Sequence, residues 1–212
     1  PSDPQHVVYV WLDALLNYVS AVGLNLDNPR PMENASFAEK WPANVHIIGK
    51  EIFRFHAVIW PAMLLSAGHP LPRQVYAHGF ILDKDGRKMA KSLQNVVDPR
   101  AVAKEYSVEV LRFYFLRTFS SGMDGNFSLK ELEERYESEL GNDLGNLVLR
   151  VAKLVETRLG GSISTSGSPR DLNPDSTILE YFKYVDSREH HRSVEALWSY
   201  IRRTNGYLNE KQ

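Results

Sequence analysis

Two hydrophobic patterns alternate along the first part of the chain. Short runs of apolar, mostly β-branched or aromatic residues at 6–12, 45–49 and 74–82 predict three buried strands. Between these runs the apolar residues recur at helical spacing, which predicts helices over 13–22 and 50–67. Strands and helices that alternate without hairpin signals are typical of a parallel sheet with covering helices, so this part of the chain predicts an α/β fold.

Punctuating residues set the predicted ends of these elements. Asp13 is predicted to cap the first helix and Gly23 to close it, while Pro61 is expected to kink the second helix. Residues 24–43 show no period and are predicted to be mostly loop. Right-handed crossovers bring the carboxyl ends of parallel strands to one edge of the sheet, where open α/β sheets bind their ligands.

The later part of the chain carries a helical pattern. Helices are predicted to begin near Pro99, Ser107 and Ser128, and the last of them is long. A stretch rich in Gly, Ser, Thr and Pro at 160–174 predicts a linker, and 176–212 predicts a helix or a short helix pair. Residues 128–212 are therefore expected to be all-α.

Composition narrows the class of protein. Of the 212 residues, 43% are hydrophobic and 24% charged, which is ordinary for a globular protein with a core. The net charge of −1 indicates that any RNA contact comes from a local basic patch. The lack of cysteine excludes disulfides and thiolate zinc sites in this segment. No apolar run reaches the ~20 residues of a membrane span. The start at Pro1, without a signal-peptide pattern, suggests a cut into a larger protein.

The segment 88–92 reads Lys-Met-Ala-Lys-Ser and lies in a polar loop after the third predicted strand. Two lysines on a mobile loop can swing over a nucleotide triphosphate and offset the charge that builds on departing pyrophosphate. A solvated surface loop is the usual interpretation of an arbitrary lysine pair. The position just after a parallel strand favours phosphate binding by Lys88 and Lys91.

Aromatic residues provide a second candidate site. Trp11 is predicted to end the first strand, and Tyr18 follows seven positions later, two helical turns away at a nearby azimuth. An indole and a phenol could wall a slot for an unbranched thioether, because sulfur packs well against aromatic rings. Core packing is the more common role of a lone tryptophan, so the site depends on the pair.

The end of the second predicted strand suggests a nucleotide contact. Gly49 allows close approach of an adenosine moiety to the backbone, and the carboxylate of Glu51 could hydrogen-bond ribose hydroxyls. His56 lies five residues after Glu51, on roughly the same side of the helix. A lone histidine on an apolar helix is usually a satisfied core group.

A polar pair lies within the long helical region. Asn146 and Arg150 are four residues apart, so they are neighbours on one helix face. An amide beside a guanidinium offers an unstacked base donors, an acceptor and a stacking plane. The pair His190-His191 has no Asp, Glu or Cys at metal-ligand spacing, so a solvated helix surface is predicted there and no metal site.

Together these motifs resemble the methionyl-tRNA synthetases, a family of class I aminoacyl-tRNA synthetases. Segment 88–92 resembles their Lys-Met-Ser-Lys-Ser loop, with Ala90 in place of a serine, and the following Leu-x-Asn-Val-Val-Asp-Pro strengthens the match. Segment 10–14, Val-Trp-Leu-Asp-Ala, and the pair His78-Gly79 also match the family. Glu51 stands where the family usually has aspartate.

The resemblance implies a role for each matched residue. It implies a methionine site of Trp11, Ala14, Leu15, Tyr18 and His56. It implies ATP contacts from Gly49, Glu51, His78, Gly79, Lys88 and Lys91, of which Lys91 and secondarily Lys88 stabilise the leaving pyrophosphate. It implies that Asn146 and Arg150 read the anticodon.

The resemblance also implies an organisation and a set of partners. Residues 1–82 would be the second half of a doubly wound, Rossmann-like domain, 83–127 a lysine-loop and stem-contact region, and 128–212 a truncated all-α anticodon-binding domain. The substrates would be methionine, ATP with Mg²⁺, and tRNA(Met), in the cytoplasm or the mitochondrial matrix. The upstream half, with a His-Ile-Gly-His element, would be a further partner, without which the segment is expected to be inactive.

Three other functions remain open from the sequence. A synthetase of the leucine, isoleucine, valine or cysteine group shares the chemistry, but Trp11, Tyr18 and the Asn146–Arg150 pair fit methionine recognition better. A non-catalytic tRNA-binding module is disfavoured by the retained lysines. An adenylyltransferase that uses no RNA is disfavoured by the anticodon-type helix.

Overall fold

Helices make up most of the computed structural model, which describes residues 3–24, 35–163 and 172–210. Within those residues the strands form two small sheets of two parallel strands each. The chain divides into two compact units, Pro1–Gly79 and Phe80–Gln212. The sequence prediction of parallel strands with helices is therefore confirmed in this coarse form.

The first unit packs its helices around one apolar core. Its elements are α1 (Trp11–Ser20), α2 (Ala35–Lys40), β1 (His46–Gly49), a 3₁₀ turn (Lys50–Ile52), a π-helical turn (Phe55–Ile59), α3 (Trp60–Ser66) and β2 (Val75–His78). The buried core consists of Leu15, Val19, Phe37, Trp41, Trp60 and Leu64. β1 and β2 are parallel, as predicted, with His46 opposite Val75 and Gly49 opposite His78.

The predicted strand over 6–12 is wrong. α1 begins at Trp11, so Trp11 starts a helix and does not end a strand. The N-cap is Val10 and not the predicted Asp13, which lies in the first turn of the helix. A strand needs hydrogen bonds from a neighbouring strand, and in the described part of the chain none pairs with this run. Val7 is accordingly 89% exposed.

The second predicted helix, over 50–67, changes type along its length. It passes from the 3₁₀ turn through the π-helical turn into α3, and Gly68 (φ +71°) follows its end, close to the predicted boundary at residue 67. Pro61 lies in the first turn of α3, just after the π-helical turn. Proline has no N–H to give to the preceding turn, so the regular α-helical ladder begins only there.

Two further predictions in the first half needed correction. The loop predicted over 24–43 contains α2, although residues 25–34 lie outside the described part of the chain. The strand predicted over 74–82 is two strands, because the backbone changes partners after Gly79. The N–H of Phe80 donates to Asp124 Oδ1 (2.7 Å), and its carbonyl accepts from the N–H of Gly125 (3.0 Å).

The second unit combines a short parallel pair with a helical bundle. Its elements are β3 (Ile81–Leu82), α4 (Pro99–Tyr106), α5 (Val108–Thr118), β4 (Gly125–Asn126), α6 (Leu129–Arg135), a π-helical segment (Tyr136–Gly145), α7 (Asn146–Leu159), α8 (Asp175–Asp186) and α9 (His190–Glu210). β3 pairs with β4. The buried core beside them consists of Val102, Val110, Leu111, Tyr114, Phe127 and Leu132.

Side-chain caps fix where three of these helices begin. The side chains of Asp98, Ser107 and Ser128 accept hydrogen bonds from backbone N–H groups in the first turns of α4, α5 and α6. These starts confirm the helices predicted from the sequence. Of the two alternatives predicted for 176–212, the structure has the helix pair, as α8 and α9, whereas residues 164–171 of the predicted linker lie outside the described residues.

Ion pairs tie the bundle together. Arg117 of α5, only 15% exposed, contacts both Glu139 of the π-helical segment and Glu195 of α9. Arg135 also binds Glu139, at 2.9 Å. Three segments distant in sequence are therefore joined by one guanidinium. None of the described helices is long and apolar enough to cross a membrane.

Candidate functional site

Aromatic side chains from α1 and the π-helical turn form a cluster in the first unit. The Trp11 ring stacks on Phe55, with centroids 4.3 Å apart and planes at 8°, and meets the ring of His56 edge-on at 6.0 Å. Tyr18 lies two turns further along α1, where its hydroxyl is 2.8 Å from His56 Nε2. The structure thus brings together Trp11, Tyr18 and His56, although Trp11 belongs to a helix and not to a strand end.

Hydrogen bonds assign the tautomers of two buried histidines. His56 Nδ1 donates to the carbonyl of Ile52 (3.0 Å), so in the neutral form of the ring Nε2 would accept from the Tyr18 hydroxyl, which lies 2.8 Å away. Trp60 Nε1 donates to His46 Nε2 (3.2 Å), which leaves the His46 proton on Nδ1. Burial raises the pKa of Tyr18. Burial, and secondly the charge of His56, lower the pKa of His46.

A cavity of about 580 Å³ opens beside Trp11. Its lining is largely apolar and includes Tyr9, Phe55 and Met63, together with the guanidinium-bearing Arg54. Tyr18 and His56 do not line this cavity, so the three clustered side chains do not share one enclosed space. The indole of Trp11 lines the cavity, and the Phe55 ring stacks on this indole.

The other two residues predicted for the methionine site differ in their surroundings. Ala14 lies on the exposed part of α1, one turn after Trp11. Leu15 has no accessible surface and belongs to the core of the first unit. In this structure Leu15 therefore supports the cluster from behind and does not face a ligand.

The residues predicted to contact ATP in the first unit meet at the carboxyl ends of β1 and β2. Gly49 and His78 are register partners there, and His78 Nδ1 donates to the carbonyl of Gly79 (2.9 Å). The carboxylate of Glu51 folds back over Gly49, where a Cβ would lie 2.5 Å from Glu51 Oε2. Any side chain at position 49 would displace that carboxylate, so the glycine gives Glu51 its position at the edge of the sheet.

The lysine loop, defined as residues 83–95, opens the second unit. The ammonium of Lys88 lies over the ring of Phe80, 4.3 Å from its centroid. Lys91 begins a short 3₁₀ turn and is exposed, and no hydrogen bond or ion pair to its ammonium is found among the described residues. The Lys91 charge is thus free to meet an anion.

A buried carboxylate at the start of this loop was not singled out from the sequence. Asp83, 6% exposed, accepts hydrogen bonds from the N–H groups of Asp85 and Arg87, from Arg87 Nε, and from Asn95 Nδ2 (2.7 Å). These donors, that of Asn95 first, lower the pKa of Asp83 to about 2. The only sequence signal was an Asp and an Asn flanking the lysines.

The predicted anticodon-reading pair lies in the second unit, on α7. Asn146, the first residue of α7, is exposed, while Arg150 is half-buried and donates from Nη2 to Asn209 Oδ1 of α9 (2.8 Å). One turn earlier in α9, Asn205 Nδ2 donates to the carbonyl of Asp143 (2.9 Å) in the π-helical segment. α9 therefore holds both the guanidinium and the backbone just before the pair.

His190 and His191 are half-buried, so the predicted solvated helix surface is wrong for them. Nδ1 of His191 is buried and has no hydrogen-bond partner in the part of the chain that the structure describes. Burial, followed by the charge of Arg192, lowers the pKa of His191. Across residues 3–24, 35–163 and 172–210, no group of three His, Asp or Glu side chains is arranged to hold a metal ion.

A titration of His46 tests the assigned tautomers. We expect the pKa of His46 to lie below 6.5 in the full-length protein, because burial and the bond from Trp60 both favour the neutral ring. Its contribution to stability is then complete above the unfolded-state value and is lost as pH falls through the lower, folded-state pKa. Trp60→Phe removes the donor and should move the pKa of His46 upward, as followed by NMR.

Trp41→Phe is the matched control for that titration. The indole of Trp41 is also buried, but it donates to the carbonyl of Pro70 (2.8 Å) and not to a histidine. The Trp41→Phe variant should leave the pKa of His46 unchanged. Equal shifts in both variants would show that general loosening of the core, and not the bond from Trp60, sets the pKa.

Comparisons with known proteins agree on one family. The family described as tRNA synthetases class I (M) matches residues 1–152. Methionine–tRNA ligase of Caldanaerobacter subterraneus is 39% identical over 216 residues, covering 99% of this chain and 33% of its own length. That of Bacillus subtilis is 41% identical over 217 residues, covering 99% and 32%. The chain therefore spans about a third of the length of these relatives.

Solved structures give the same match. The crystal structure of Mycobacterium tuberculosis methionyl-tRNA synthetase bound by methionyl-adenylate superposes with a TM-score of 0.85 at 37% identity. That match covers 100% of this chain and 42% of the other. The structure of the free state of the same protein gives a TM-score of 0.81 at 35% identity.

Proposed function

Because the chain belongs to the class I (M) family of tRNA synthetases, we propose that it works in the ATP-dependent ligation of L-methionine to tRNA(Met). The names of the relatives support the amino acid, and the adenylate bound to the M. tuberculosis protein supports the intermediate. Since the chain spans about a third of these relatives, the activity is proposed for the full-length protein.

The aromatic cluster carries this proposal. An unbranched thioether needs a narrow apolar wall, and the flat Trp11 ring, held by its stack on Phe55, provides one beside a cavity. The Tyr18 hydroxyl and the His56 ring that it contacts lie outside this cavity, and the edge of the His56 ring supports the Trp11 wall. We assign methionine binding to Trp11, Tyr18 and His56, with Ala14 alongside and Leu15 as core support.

The proposed reaction has two steps. The methionine carboxylate attacks the α-phosphorus of ATP, forming a carboxyl–phosphate bond while the bond to the β-phosphate breaks and pyrophosphate leaves. A ribose hydroxyl at the tRNA end then attacks the methionyl carbonyl, and AMP leaves. The first step needs no general base, because the carboxylate is already ionised at neutral pH. Its rate comes from positioning and charge stabilisation.

Residues of this chain would supply both effects. Gly49, Glu51, His78 and Gly79 lie together at one sheet edge, which suits the adenosine part of ATP. Lys91, and secondarily Lys88, would stabilise the leaving pyrophosphate. We propose that Mg²⁺ arrives on the ATP phosphates, the ligands it commonly takes in such sites, and offsets part of their charge.

We further propose the division of labour along the chain. Residues 1–82 would form the second half of a Rossmann-like catalytic domain, 83–127 the lysine-loop region, and 128–212 an anticodon-binding domain. The exposed Asn146, with the half-buried Arg150 beside it, supports the last assignment, because an amide next to a guanidinium is suited to an unstacked base.

Methionine-dependent ATP–pyrophosphate exchange by the full-length protein tests the proposal. We expect exchange with methionine and much less with leucine or isoleucine. Residues 1–212 alone should show none, because their sequence contains no His-Ile-Gly-His element. Exchange that prefers leucine would assign another class I synthetase, and tRNA binding without any exchange would assign a non-catalytic module.

A further inference from the structure

Two polar residues close the lysine loop at its ends. Asp83 follows β3 directly, Asn95 lies at the far end, and Asn95 Nδ2 donates to Asp83 Oδ2 at 2.7 Å. The bond spans twelve residues and encloses both Lys88 and Lys91. We call this pair the clasp.

Each residue of the clasp also forms hydrogen bonds with the loop backbone. Asp83 Oδ1 accepts from the N–H groups of Asp85 (3.0 Å) and Arg87 (2.8 Å), which closes the turn before the lysines. Asn95 Oδ1 accepts from the N–H of Ala90 (2.9 Å), and Asn95 Nδ2 also reaches the carbonyl of Lys88 (3.3 Å). The amide of Asn95 thus holds the backbone on both sides of Met89, immediately before Lys91.

The clasp residues differ in burial and charge from the two lysines of the loop. Asp83 is 6% exposed, whereas Lys88 and Lys91 are exposed to solvent. The Asp83 carboxylate has donors on both oxygens, which compensates its burial. Both clasp side chains are committed to hydrogen bonds within the loop, so they would act on a substrate only through the lysines.

We propose that Asp83 and Asn95 are positioning residues that hold the lysine loop in the conformation from which Lys88 and Lys91 reach the pyrophosphate. This inference rests on the proposed function. A flexible loop would have to be ordered in every catalytic cycle, and a pre-organised one avoids that entropic cost. The clasp should therefore affect the rate of adenylate formation and leave methionine binding unchanged.

Asn95→Ala in the full-length protein is the direct test. We expect single-turnover adenylate formation to slow by ~10-fold or more with an unchanged Kd for methionine, because the lost interaction acts in the transition state. Asp85→Asn is the matched control. Asp85 lies in the same loop, but among the described residues its 54%-exposed side chain bonds only the exposed guanidinium of Arg87, so the variant should keep the wild-type rate.

A double-mutant cycle separates positioning from general stability. If Asn95 acts through the lysine, Asn95→Ala should have little further effect in a Lys91→Ala background, because the group it positions is already gone. Equal losses in both backgrounds, or a fall in methionine affinity, would overturn the proposal. Asn95→Asp is the second variant: it keeps the acceptor for Ala90 but sets two carboxylates together, and it should slow the step as well.

The outcomes distinguish this inference from the proposed function. Lack of methionine-dependent exchange by the wild-type protein would refute the proposed function before any variant is made. An active wild type, with Asn95→Ala and Asn95→Asp both at the wild-type rate, would refute only the clasp.

Discussion

Lys91→Ala in the full-length protein is expected to slow methionyl-adenylate formation by ~10²-fold or more, the scale of losing one preorganised group that stabilises transition-state charge. Lys91 is exposed, and no described residue pairs with its ammonium, so its charge is not committed to the fold. Pyrophosphate gains charge only as the bond breaks. Methionine affinity should therefore remain nearly unchanged.

Single-turnover kinetics and equilibrium methionine binding separate these effects. Lys84→Ala is the matched control, because Lys84 is also exposed in the lysine loop but lies outside the 88–92 motif. It should retain the wild-type rate. If Lys91→Ala weakened methionine binding and left the chemical step intact, the assigned role in pyrophosphate departure would be wrong.

Trp11→Ala should weaken methionine binding by ~3 kcal/mol, on the scale of large-to-small changes at packed aromatic sites. The indole provides one wall of the cavity and stacks at 4.3 Å on Phe55, so truncation removes the wall and frees its support. Affinity for tRNA should not change. Trp11→Phe retains a flat ring and should recover part of the lost affinity, which distinguishes a lost wall from a collapsed fold.

Asn146→Ala should have the complementary effect: it should impair the use of tRNA and leave methionine activation intact. Its side chain is exposed on α7, so adenylate formation should be unaffected. kcat/KM for tRNA should fall by an amount equivalent to ~1–3 kcal/mol of transition-state stabilisation, which is the scale of one base-reading contact. Both half-reactions are measured for both variants. If Asn146→Ala impaired methionine activation as much as Trp11→Ala does, Asn146 would be a packing residue.

Local chemistry explains what the sequence predicted well. The caps Asp98, Ser107 and Ser128 bond backbone groups two or three residues away, so the short segment around each contains the whole interaction. The proximity of Tyr18 and His56 could also be predicted, because the family resemblance assigned both residues to one methionine site. The helical spacing from Trp11 to Tyr18 put both rings on one side of α1.

Interactions between distant segments explain what the sequence did not predict. The run at 6–12 has the composition of a strand, but composition does not supply a hydrogen-bonding neighbour, and α1 begins within it. The division after Gly79 depends on Phe80 bonding Asp124 and Gly125, more than forty residues later. The clasp could not be predicted either, because an aspartate and an asparagine twelve residues apart in a polar loop have no sequence pattern that indicates a hydrogen bond between them.

The pairing of β3 with β4 has a consequence for heat tolerance. Its bonds join Phe80 and Leu82 to Gly125 and Phe127, so they close a long loop that contains α4 and α5, and closing a long loop costs chain entropy. With only two residues in each strand, the pair depends on its surroundings, including the Phe119 ring that fits against Gly125. Warming should therefore release the lysine loop by local unfolding before the helices melt. In the full-length protein, the proposed adenylate formation should then decline at temperatures where circular dichroism still reports intact helices.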